Sequence, residues 1–182
     1  MRNFPLHTID DAPEAAKPSL QALRSAFGFV PNIAGAMSTS PVLIDSLVAL
    51  FGKVHGGSFS EPEIQVLLLT NAVTNGCEWA VAFHSALALG QGIEAGDVEA
   101  IRRGGAPRPP RQAALSILAR GLIEMRGKLD DAAIGAFLSA GFDQRHLLEV
   151  IAVVAASTIT NYTGSVTLPP LEEEFQPHGW AA

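Results

Sequence analysis

Apolar residues recur at three- and four-residue spacing almost from end to end, and no alternating run is long enough for a sheet. The pattern predicts an all-α chain. Helices are expected near 12–27, 32–38, 41–55, 61–75, 77–90, 94–103, 110–127, 131–139 and 144–163, with one short turn around Leu171 to Phe175 in the tail 168–182. Start signals support these limits. Asp11 precedes Glu14 by three residues, Ser40-Pro41 pairs a capping serine with a first-turn proline, and Ser60 to Glu63 reads as a capping box. Asp130 and Asp143 are expected to cap two later helices. Glycines at 56–57, 90 and 92, 104–105 and 141 mark the stops. The connections are short, which favours packed antiparallel neighbours.

Two of these segments echo each other. EIQVLLLTNAVTN (63–75) and EVIAVVAASTITN (149–161) each start at a glutamate, run through apolar residues and end in Thr-Asn. Either two central helices simply look alike, or two similar helical units face each other across a pseudo-twofold axis.

Composition narrows the possibilities. The 182 residues are 48% apolar and 16% charged, enough for a single domain with a real core. The net charge of −6 and the lack of a basic stripe argue against a nucleic-acid partner. No uninterrupted apolar run reaches the length of a membrane span, and the N-terminus has no apolar signal region, so a cytoplasmic protein is expected. A lone cysteine excludes an intramolecular disulfide. The histidines show no metal-ligand spacing, and no dinucleotide fingerprint, P-loop or serine elbow is present, so no cofactor is expected.

The candidate chemistry lies in NGCEWAVAFHSALALGQGI (75–93). Asn75-Gly76 breaks the preceding helix, which puts Cys77 at the start of the next one. There the helix N-terminus is expected to favour a thiolate. His84 lies seven residues on, on the same face, at a rise of roughly 10 Å. Ala80 stands between them. Cys77 reads either as a reactive thiol or as a small buried hydrophobe, and His84 either as a functional or as a satisfied core histidine. Trp79 fits packing or a pocket wall. Glu149 fits a capping-turn carboxylate, and Glu172 to Glu174 a solvated charge run.

This stretch resembles the AhpD-like branch of the carboxymuconolactone decarboxylase family, whose redox members carry C-x-x-C-x-x-x-H on such a helix. FGFVPNIAGAMSTSPVLIDSL, NGCEW, HSALALGQGI and AGFDQRHLLEVIAVVAASTITNY look like its longer, peroxidase-related members. The resemblance implies an AhpD-like helical bundle, a homo-oligomer and a small-molecule substrate, either an organic hydroperoxide or a small organic acid. It makes Cys77 and His84 the catalytic candidates, with Gln65, Trp79 and Ala80 lining the pocket. In the redox members the second cysteine attacks the peroxide, the first closes a disulfide, and a glutamate assists the histidine. Here Ala80 stands at the second cysteine and Gln65 at the glutamate, while NYTGS (161–165) replaces N-Y-x-N-H. A single thiol would need an external thiol reductant or a second subunit. Three readings follow: a peroxidase- or oxidoreductase-type relative, a decarboxylase-like enzyme with His84 as base, or a non-catalytic binding descendant.

Overall fold

The computed structural model describes residues 4–181. A 3₁₀ turn at Glu14–Ala16 leads into α1 (Lys17–Phe27). There follow α2 (Asn32–Met37), α3 (Pro41–His55), α4 (Glu61–Thr74), α5 (Glu78–Gly90), α6 (Ala95–Arg102), α7 (Pro110–Glu124), α8 (Asp131–Ser139) and α9 (Gln144–Thr167). A second 3₁₀ turn spans Glu173–His178. No strand occurs among the described residues.

The predicted caps largely form. Ser60 and Glu63 complete their capping box, Asp130 accepts from Ala133 N at 2.8 Å, and Asp143 accepts from His146 N at 2.9 Å. Asp11 does not cap α1. Its carboxylate is taken up by the backbone N–H and hydroxyl of Thr8, so the α-helix starts only at Lys17, with Pro18 in its first turn. α9 runs four residues past the expected Tyr162–Thr163 end, to Thr167, because Gly164 continues the helix. The tail turn lies at Glu173–His178, beyond the Leu171 start expected for it.

α4 is buried nearly all round and packs on α5, α7 and α9. Ile64, Val66, Leu67, Leu68 and Leu69 are each at most 1% exposed, so propensity alone does not hold this helix; burial from every side does. The echoed segments therefore meet in the core as α4 and α9. Their leading glutamates play matching parts. Glu63 accepts from Ser60 N and Arg111 Nε at 2.9 and 2.7 Å, and Glu149 from Ser58 N and Arg145 Nε at 2.7 and 2.9 Å.

By length and average composition alone α9 could cross a bilayer, although Ser157, Thr158, Thr160 and Asn161 interrupt its apolar run, as the sequence shows. Its inner face packs on α3, α4 and α7.

Candidate functional site

α5 carries the candidate residues, and its neighbours divide them into two surroundings. Cys77 is the N-cap of α5 and is 1% exposed. Gly164 of α9 packs directly on its sulfur: a Cβ there would lie 2.6 Å from Sγ. Burial pushes the Cys77 thiol above its ordinary pKa, although the N–H groups of Ala80 and Trp79 and the Ser165 side chain pull the other way. Desolvation therefore outweighs the helix N-terminus, and the shift runs opposite to the lowered pKa expected from the sequence.

His84 sits about two turns further along α5 and shares no hydrogen bond with Cys77. Its Nδ1 lies 3.1 Å from Gln65 Oε1 on α4. An amide oxygen only accepts, so with this assignment Nδ1 carries the proton and Nε2 the free lone pair. Nε2 has no hydrogen-bond partner among the described residues. Burial, with a smaller push from His55, lowers the His84 pKa to about 3, so the ring is neutral at physiological pH.

The ring lines a cavity of about 70 Å³. Trp79 and Phe83 come from α5, Pro31, Ile33 and Ala34 from the start of α2, Leu47, Val48 and Phe51 from α3, and Leu23 and Phe27 from α1. Thr160 of α9 adds one hydroxyl, and no charged side chain lines the space. Trp79 stacks on Phe83 at 4.8 Å, and Phe83 meets the edge of His84 at 5.3 Å and of Phe27 at 5.4 Å. Phe27, at 38% exposed, stands at the mouth.

Of the sequence candidates, Trp79 and His84 reach this cavity, and Gln65 holds His84 from behind. Cys77 and Ala80 do not line it, because α9 closes over the first and α5 itself turns the second into the core. Phe83, Thr160 and the α1–α3 walls were not legible as site residues, since their pattern is that of any core helix. Glu172 was misread as solvated. It accepts from Trp79 Nε1 at 3.0 Å and from Asn32 N at 2.6 Å. Among the described residues no three His, Cys, Asp or Glu side chains converge as a metal site.

Comparison with known proteins shows what this helical architecture is similar to. Residues 43–120 match the model of the carboxymuconolactone decarboxylase family, from α3 through most of α7. An uncharacterised peroxidase-related protein with an alkylhydroperoxidase AhpD core, from Ralstonia eutropha JMP134, superposes with TM-score 0.83 at 18% identity, over 96% of this chain and 93% of that one. A peroxidase-related protein from Silicibacter sp. TM1040 gives 0.78 at 20% identity, over 98% and 93%. The debrominase Bmp8 gives 0.78 at 16% identity, over 96% and 94%. No curated protein sequence matches. At these identities the structures share the fold alone: the chain has an AhpD-like helical fold, and its segment 43–120 is similar to the carboxymuconolactone decarboxylase family.

Proposed function

We propose that this protein binds a small, neutral organic molecule carrying one N–H or O–H donor, held at the free Nε2 of His84, and does not run the family's two-thiol peroxidase cycle. The observation that carries this reading is a neutral imidazole in an aromatic cavity with no charged lining, while the only thiol is sealed elsewhere. A carboxylate ligand would be desolvated with no cation to pair it, which counts against the small-organic-acid reading. Gln65 supplies no countercharge for an imidazolium, so His84 accepts a hydrogen bond and orients a ligand but does not store a proton. An organic hydroperoxide is a neutral O–H donor and remains within this ligand class. Reducing it would need a thiol that is both reachable and ionised, with an external thiol to complete the cycle, whereas Cys77 is buried and its pKa is raised.

The binding test uses three five-membered rings of similar shape. Pyrrole, with an N–H, should bind; furan, without a donor, should bind at least about tenfold more weakly; and pyrrole-2-carboxylate should not bind. His84→Phe should abolish the preference for pyrrole. Equal affinity for pyrrole and furan would overturn the assignment. For the thiol, native Cys77 should alkylate more than about a hundredfold more slowly than in the unfolded chain. Free-thiol reactivity with hydroperoxide-driven oxidation would instead restore an oxidoreductase reading.

Two further properties belong to the same reading. The outer face of α9 exposes Leu148, Ile151, Tyr162 and Val166, and residues 150–171 contain no charged side chain, so a second copy of the chain is proposed to cover this face. A cytoplasmic setting is proposed with it.

A further inference from the structure

The segment after α9 does not trail into solvent. It crosses α2, α5 and α6 and is tied down at both ends. At the near end, Asn32 Nδ2 donates to Pro170 O at 3.0 Å. At the far end, Arg102 donates to the carbonyls of His178 and Gly179 at 3.0 and 2.9 Å, and Trp180 Nε1 donates to Arg102 O at 3.1 Å. Between them Phe175 is buried against Phe83 at 5.0 Å.

Glu172 has a different position from these anchors. One oxygen takes the indole N–H of Trp79, a wall of the His84 cavity on α5, and the other takes the backbone N–H of Asn32, which stands between Pro31 and Ile33 on the α2 wall. A single carboxylate thus ties two walls of one cavity from behind. A buried indole needs only one acceptor, and a neutral one would do. A carboxylate accepts at both oxygens at once, whereas an amide has one acceptor oxygen. Trp79 is also stacked on Phe83, so its ring plane passes the setting on to the side chain beside His84.

We infer that Glu172 is a positioning residue for the His84 cavity: by holding Trp79 against the α2 wall, the C-terminal segment sets the fit of the bound molecule. This rests on the binding reading above. Trp79 and Glu172 lie 93 residues apart in sequence, so the coupling exists only in the folded chain.

The test reads two independent signals. The first is hydrogen exchange of the Trp79 indole N–H, assigned by its loss in Trp79→Phe, and it needs no ligand. The second is pyrrole affinity. Glu172→Ala should speed indole exchange at least about tenfold and weaken pyrrole binding about five- to tenfold, with Glu172→Gln in between. Arg102→Ala, which frees the end of the segment without touching Trp79, should lower thermal stability and leave both signals within about twofold. In a Trp79→Phe background, Glu172→Ala should lose most of its effect on pyrrole. Unchanged exchange and affinity in Glu172→Ala, or an effect of the same size in the Trp79→Phe background, would overturn the inference. If the wild type fails to distinguish pyrrole from furan, it is the binding reading that falls, and indole exchange alone then decides whether Glu172 holds Trp79.

Discussion

An amide in place of a carboxylate at position 65 decides what His84 can be. A carboxylate 3.1 Å from Nδ1 would offset the cost of charging a buried ring; Gln65 Oε1 brings only a dipole. The unfolded chain then takes a proton that the folded chain refuses. Because the folded pKa is depressed to about 3, this contribution to stability is complete above the unfolded value of about 6.5 and is lost as pH falls from there. Urea unfolding between about pH 6 and 5 should show a slope approaching 1.4 kcal/mol per pH unit that disappears in His84→Gln. Gln65→Glu should move the His84 titration, followed by NMR, upward by at least about one unit. If the slope survives His84→Gln, other groups carry it. Neither residue's state was readable from its spacing. The motif put His84 on the Cys77 face, but only the packing of α4 on α5 put an acceptor against Nδ1 and turned Nε2 loose.

At the scale of the helices, glycine shows how contact overrides propensity. Ala is the better helix former by about 1 kcal/mol, so an open helical glycine gains from replacement. Gly135 in α8 has nothing within 4 Å of an added Cβ, and Gly135→Ala should stabilise by about 0.5–1 kcal/mol. Gly164 in α9 should respond with the opposite sign, since the same Cβ would meet Cys77 Sγ at 2.6 Å and Ile33 Cδ1 at 3.4 Å. Gly164→Ala should cost about 1–3 kcal/mol in chemical denaturation, and Cys77→Ala in the same chain should recover part of it. Additive effects would remove the close approach of α9 to α5 as the reason Cys77 is sealed. A glycine that does not break an apolar helix is a sequence-level hint of such an approach. Which helix approaches, and at which atom, is not contained in it.

For the whole molecule, the question is what covers α9. Ile151 is 46% exposed and Tyr162 60%, in a stretch of α9 without charged side chains, while the opposite face is core. A twofold contact would bury this stripe against itself. Sedimentation at micromolar concentration should give a species heavier than the 19.1 kDa chain, and Ile151→Lys with Tyr162→Glu should shift it to the monomer. A wild-type monomer would remove the second copy as the cover.

Hydrophobic periodicity, capping residues and glycine stops carried the helix order, the central standing of segments 63–75 and 149–161, and the family resemblance, because these are local signals repeated many times along the chain. The same residues also ruled out the two-thiol cycle within one subunit, since Ala80 has no sulfur whatever the fold. The tertiary structure alone decided that Cys77 is shut beneath Gly164, that His84 faces an uncharged aromatic cavity, and that Glu172 reaches back to Trp79. Each of these depends on the distance between helices far apart in sequence, and on the desolvation that follows, and neither quantity exists until the chain is packed.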